Sequence, residues 1–258
     1  MKKKYLLYID ILGFSEIVKK KNVKVIEIYN IIDELNVHRH HAFNTIVFSD
    51  TIIIYNKYQL QKPQDHRYFS MYLCEFAQDL LYRFVGKDIY FRAILDYGEF
   101  EHKSLKNIEC FFGETLINCY NLEKKIPSIG LFITESAARF QSIFKMKKFD
   151  DGICFVFLQQ YLESFVSHFK DTDGDYNLLI ELDLSYPIVR EIRILEDVYK
   201  KMNWHPTANI RSKYATYWNV YKQMYPWPLN KWESNNFSMN DIIISEEWEK
   251  IYKDIYSE

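Results

Sequence analysis

Glycine and proline are scarce in this chain, 7 and 6 of 258 residues, too few for a collagen-like, low-complexity or linker-dominated protein. Cysteine is scarcer. Cys74, Cys110, Cys119 and Cys154 lie far apart with no C-x-x-C pair, so neither a zinc ribbon nor a dithiol motif is expected. A dominant charge is missing too: 33 basic residues face 35 acidic ones, a formal net charge of −2, which gives no bulk footprint for nucleic acid. The short basic runs Lys2-Lys3-Lys4, Lys19-Lys20-Lys21 and Lys145-Met146-Lys147-Lys148 read as solvated faces. Long apolar runs are absent as well. Asp10 interrupts the first one after five residues, so neither a signal peptide nor a membrane span is expected, and a reducing, cytoplasmic setting is. There is no P-loop, G-x-S-x-G or H-E-x-x-H.

What the chain has in abundance is aromatic side chains: 21 Tyr, 19 Phe and 5 Trp predict a bulky core, and 258 residues suffice to bury one. Tyr5 to Asp10 reads as a buried strand. A helix is predicted from about Ser15, a plausible N-cap, to Leu35. Thr45 to Tyr55 is β-branched and breaks at Ser49-Asp50, a hairpin. Apolar spacing predicts a helix over 65–85, then a strand over 89–100, a helix over 113–125, a strand over 129–134 and a short helix near Ala137. This alternation, with a hairpin inside it, predicts an α/β (α+β) fold on a ferredoxin-like βαββαβ core. Residues 1–150 are read as that core. Residues 151–258 are read as a mostly helical extension, with further strands at 153–158 and 176–184, packing on the core or on a second subunit. All five tryptophans, Trp204, Trp218, Trp227, Trp232 and Trp248, fall in it.

Two carboxylates stand out by position. Asp10 closes the first apolar strand and Asp50 sits at the hairpin turn. Two acids at the ends of adjacent strands could share a divalent cation, since Mg²⁺ takes one or two carboxylates plus substrate phosphates. Both could equally be turn aspartates held by backbone N–H groups. His38-Arg39-His40-His41 reads as an exposed loop rather than a metal tract. Asp171 to Asp175 (DTDGD) reads as a hairpin turn rather than a calcium loop.

The local strings around these acids bear a family resemblance. Asp10-Ile11-Leu12-Gly13-Phe14-Ser15 resembles the D-I-x-G-F-[ST] signature of class III nucleotidyl cyclases. Phe48-Ser49-Asp50 falls where that family carries its second metal aspartate, with Ser49 in place of the usual Gly. Arg92 to Phe100 resembles R-x-G-I-x-x-G-x-V, and Gly113 to Glu123 resembles G-x-x-V-N-x-A-x-R-L-E. The resemblance spans about residues 5–135 in order. It implies two Mn²⁺ or Mg²⁺ ions held at Asp10, Ile11 and Asp50. It also implies backbone N–H groups of Ile11 to Phe14, with Ser15, around the substrate phosphates, and in-line attack of the ribose 3′-hydroxyl on the α-phosphorus.

Within the helix, Ile117 stands at the family's transition-state Asn position and Asn121 at its Arg position; a one-residue slip would restore Asn118 but break the Leu-Glu match. Asn121 and Arg92 are therefore taken as catalytic candidates, with Lys124 and Lys125 nearby. Ile46, four residues before Asp50, replaces the purine-reading Lys or Glu. Cys110, where some guanylate cyclases have a Cys, reads as a small buried hydrophobe. The chain looks most like the bacterial pyrimidine cyclases of Pycsar anti-phage systems, in D-I-L-G-F-S, F-S-D-T-I and Phe111-Phe112-Gly113…Cys119-Tyr120-Asn121-Leu122-Glu123. Lys213-Tyr214 and Trp218 partly match a further C-terminal segment.

That branch implies UTP or CTP as substrate, a homodimer with sites at its interface, and a separately encoded effector that senses the cyclic nucleotide. Nucleic acid and membrane are not expected partners. Tyr5, Phe14 and Ile46 are assigned to the base pocket. The competing readings are a purine cyclase, a nucleotide-binding module of the same fold without turnover, and a structural partner whose aromatic C-terminal part is an interaction surface.

Overall fold

The structure, a computed structural model, describes residues 1–20, 22–171, 185–237, 249–251 and 253–254. The expected strand at 176–184 and the Asp173-Gly174 turn lie outside the described residues, as does Trp248. The chain divides into two compact units, residues 1–83 with 89–158, and residues 84–88 with 159–258.

The first unit is built on a seven-stranded sheet. Strand β1 (Lys3–Ile11) is apolar nearly throughout because it is flanked on both sides and covered on both faces. Helices α1 (Phe14–Lys20) and α2 (Asn22–Asp33) follow where the sequence predicts one helix. The first begins at Phe14, one residue ahead of the expected cap Ser15. Next come the hairpin β2 (Phe43–Phe48) and β3 (Thr51–Asn56), helix α3 (Pro63–Arg83) and strand β4 (Phe91–Glu99). These pair as β2-β3-β1-β4, every pair antiparallel, which is the ferredoxin-like βαββαβ order. The predicted 89–100 strand is cut at Glu99, and a separate hairpin β5 (Glu101–Ser104) and β6 (Glu109–Phe112) stands apart from the main sheet. Helix α4 (Glu114–Lys125) then crosses over to β7 (Gly130–Thr134), parallel to β4. After the short α5 (Glu135–Ala138), β8 (Met146–Asp150) and β9 (Ile153–Val156) complete the sheet beyond β7.

The two faces of this sheet are covered differently. Tyr5, Leu7, Ile9 and Ile11 project to one face with their register partners Ile52, Ile54, Ala93 and Leu95, all buried. Helix α3 lies there, as the contact of its His66 with the Tyr5 ring shows. Helix α4 lies on the other face, where Asn118 reaches Asp96 and Glu123 reaches Arg92. His40, expected in an exposed loop, packs instead against Phe43 and Tyr72, with ring centroids at 4.9 Å from each.

The second unit is helical: α6 (Tyr161–Asp171), α7 (Ser185–Trp204), α8 (Ala208–Met224) and α9 (Pro226–Ser234). Trp218, Tyr221 and Trp232 sit in its core, while Trp204 and Trp227 are exposed. It also buries charge. Glu191 is wholly buried and accepts the N–H groups of Tyr161 (3.1 Å) and Leu162 (2.6 Å), so its carboxylate closes the N-terminus of α6. Among the described residues no helix is long and apolar enough to cross a membrane.

Candidate active site

The candidate site lies where β1 and the β2–β3 hairpin end together. Asp10 stands opposite Thr51 on one side and Arg92 on the other, so these three side chains form a row on the α4 face. Asp50 is in the two-residue turn just before Thr51, and its carbonyl accepts the Ile11 N–H at 2.9 Å. The turn is tight enough to put Ser49 at φ +55°, a conformation that favours glycine. Asp10 and Asp50 are both half-buried. One step back along the row, the Tyr8 hydroxyl lies 3.5 Å from Thr51 Oγ1. Burial pushes that phenol's pKa up. The Thr51 hydrogen bond opposes the rise, and the fields of Asp10, Glu123 and Asp50 add to it, so both candidate carboxylates act on one hydroxyl.

The segment after Asp10 turns at Gly13, whose φ of +73° needs a residue without Cβ strain. Its carbonyl accepts Glu16 and Ile17 N–H at 3.0 and 3.1 Å and starts α1. Not all of the predicted phosphate cradle is available. Ile11 N–H is spent on Asp50 and Leu12 N–H on the Tyr90 carbonyl (2.9 Å), so only the N–H groups of residues 13–15, at the head of the helix, face away from internal carbonyls. The Phe14 side chain is buried against Tyr29, and the Ser15 side chain is exposed.

The base-pocket assignments separate. Tyr5 is five residues from Asp10, an odd spacing that sends it to the opposite face of the sheet. It is fully buried there, tilted against Tyr97 with centroids 4.6 Å apart, its hydroxyl 3.3 Å from His66 Nδ1. It cannot touch a ligand held by Asp10. Ile46 is half-buried on β2 opposite Ile53, in the same face as the Phe48–Thr51 pair and hence as Asp10. Phe48, at the hairpin tip, is 79% exposed.

Arg92 is the third member of the row on the α4 face. It is 6% exposed, ion-paired with Glu123 and bonded to the Ile126 carbonyl, so its guanidinium ties α4 to β4 and is not offered to a phosphate. Asn118 is likewise occupied, donating to Asp96 Oδ2 at 2.8 Å. Asp96 is buried and also accepts the hydroxyls of Thr134 (2.5 Å) and Ser136 (2.8 Å). Asn121 is on the outer face of α4 with Ile117, Tyr120 and Lys124, all exposed; the Lys124 ammonium lies 3.8 Å from the Tyr120 ring centroid. Thr51, Tyr8 and Asp96 were not singled out from the sequence. Even spacing from Asp10 would have found Tyr8, and a lone carboxylate inside the apolar run of β4 would have found Asp96.

Among the described residues no cluster of three or more His, Cys, Asp or Glu side chains could hold a metal ion unaided. Two carboxylates with neighbouring backbone carbonyls nonetheless fit a hard cation such as Mg²⁺ or Mn²⁺ that completes its shell with substrate phosphate and water.

No family model matches the chain, and no curated protein matches it. Solved structures similar to it include the adenylyl cyclase CyaB from P. aeruginosa, 12% identical over 60% of this chain and 94% of that one, with a TM-score of 0.46. Another is the monomeric guanylyl cyclase domain of the RhoGC fusion protein from the aquatic fungus Blastocladiella emersonii, at 16% identity, 60% and 94% coverage and a TM-score of 0.48. A bacterial light-regulated adenylyl cyclase stands at 15% identity, 63% and 94% coverage and a TM-score of 0.48.

Proposed function

We propose that this chain is a nucleotidyl cyclase of the class III type that converts UTP or CTP into the 3′,5′-cyclic monophosphate and pyrophosphate. The observation that carries this reading is the pair Asp10 and Asp50, one ending a strand and the other in a hairpin turn, at one end of a sheet face beside the Gly13 turn. When bound, two Mn²⁺ or Mg²⁺ ions would acidify the ribose 3′-hydroxyl and neutralise charge as pyrophosphate leaves. Asp10 and Asp50, with the Ile11 backbone, are the groups that would hold them. The N–H groups of residues 13–15 orient the terminal phosphates. Ile46 and Ile53 offer the base an apolar wall without a hydrogen-bonding group of their own. Such a wall does not leave a buried polar reader unsatisfied by a pyrimidine.

The reading extends to a homodimer. Phe112, Ile117 and Tyr120 are 41%, 62% and 46% exposed, an apolar stripe that a second copy would cover. From that stripe Lys124 is the cation best placed to reach the partner's phosphates, since Arg92 is buried in its ion pair. A separately encoded effector that senses the product, and a role in anti-phage defence, follow from the same resemblance.

The test is turnover of each of ATP, GTP, CTP and UTP with Mn²⁺, read by mass spectrometry. A cyclic pyrimidine product, lost in Asp50→Ala, is the expected result. A cyclic purine would keep the reaction and overturn the base assignment. Metal-dependent nucleotide binding without product would favour a non-catalytic module, the reading motivated by Ile117 and Asn121 at the family's transition-state Asn and Arg positions.

A further inference from the structure

Tyr29, on α2, is distant in sequence from both halves of the candidate site and touches both. Its ring meets the edge of Phe14, centroids 6.0 Å apart at 65°, directly after the Gly13 turn. Its hydroxyl donates to the Ser49 carbonyl at 3.2 Å. Ser49 is the residue of the hairpin turn held at φ +55°, and the next residue is Asp50. A non-glycine residue in that region costs about 1 kcal/mol or more, so it persists only where neighbours fix it. Two hydrogen bonds fix this turn from outside the hairpin: Ile11 N–H on the Asp50 carbonyl and Tyr29 Oη on the Ser49 carbonyl.

We propose that Tyr29 is a positioning residue for the metal site: through the Ser49 carbonyl it sets the pitch of the turn that carries Asp50, and through Phe14 it keeps that turn in step with the Gly13 segment. It touches neither substrate nor metal. The proposal rests on the reading of Asp10 and Asp50 as metal ligands. The bond is solvent-exposed, so its loss barely moves global stability, whereas a small change in carboxylate position acts directly on the ion.

The experiment compares wild type, Tyr29→Phe, Ser49→Gly and the double variant Tyr29→Phe/Ser49→Gly. For each, thermal melting is measured, together with Mn²⁺ affinity by electron paramagnetic resonance in the presence of a non-cleavable pyrimidine triphosphate analogue. Tyr29→Phe is expected to melt with wild type and to weaken Mn²⁺ about fivefold, the size of one neutral hydrogen bond. Glycine removes the strain at position 49, so the double variant is expected to regain most of that affinity. Unchanged Mn²⁺ affinity in Tyr29→Phe would overturn the proposal. So would a loss that falls in step with the melting temperature, or one that Ser49→Gly does not relieve. Failure of the underlying reading looks different: wild type itself would then bind no Mn²⁺ with the nucleotide.

Discussion

The two faces of β1 make an instructive pair. On one, Tyr5, Leu7, Ile9 and Ile11 are at most 1% exposed, and their fate follows from apolar character alone. On the other, Lys4, Leu6 and Tyr8 are covered, but Asp10 is only half-buried, and there polar groups gather: Asp10, Thr51 and Arg92 in a row, with Asp50 at the turn. The same strand thus supplies a core to one side and a site to the other, and a shift of one residue separates stability from chemistry.

Breaking the comparison at adjacent residues gives the largest effects. Asp10→Asn is expected to cut cyclic nucleotide formation about a hundredfold or more with little change in melting, since a metal ligand acts on the reaction rather than on packing. Its neighbour Ile9→Ala should do the reverse, costing about 2–5 kcal/mol in denaturant unfolding while the folded fraction keeps its turnover. Arg92→Met would test whether the third member of the row is structural: it strands the buried Glu123 carboxylate, at about 3–5 kcal/mol. The double variant Arg92→Met/Glu123→Leu should recover most of that cost.

The second unit sharpens the contrast, because it buries charge in its core without a substrate to explain it. Asp197 has a carboxyl pKa pushed up to about 6: burial raises it, Arg193 at 2.9 Å pulls it down, and Glu196 raises it again. Burial wins over the ion pair. A folded value above the unfolded one means that this group favours folding most below about pH 4, and that the contribution is lost as pH rises through about 6. Asp197→Asn should therefore flatten the pH dependence of unfolding across that window, by up to about 3 kcal/mol. The smallest effect belongs to the turn: Ser49→Gly, at φ +55°, should stabilise the protein by about 0.5–1 kcal/mol in thermal melts.

The order of strands and helices in the first unit was legible because its signals are local. The Ser49-Asp50 break between β-branched runs marks a two-residue hairpin, and Asp10 ends an apolar run, so their meeting follows once β1 and β3 pair. The assignment of Tyr5 to the base pocket overlooked its odd spacing from Asp10, which sets the two on opposite faces of the sheet. The engagement of Arg92 was not. It depends on Glu123, 31 residues away on a crossing helix, and only tertiary packing brings the two together. The β5–β6 hairpin and β8 escaped for a related reason: EHKS and MKKFD carry charge at strand positions and lack the apolar alternation by which strands are read.

The most direct test of the central claim, that the Asp10–Asp50 end of the sheet holds metal and nucleotide together, is Mn²⁺ binding measured with and without a non-cleavable pyrimidine triphosphate. Wild type is compared with Asp10→Asn, Asp50→Asn and the opposite-face variant Tyr5→Phe. The account predicts Mn²⁺ binding strengthened by nucleotide in wild type and Tyr5→Phe and abolished in both Asp variants. Binding that survives in Asp10→Asn and Asp50→Asn alike would contradict it.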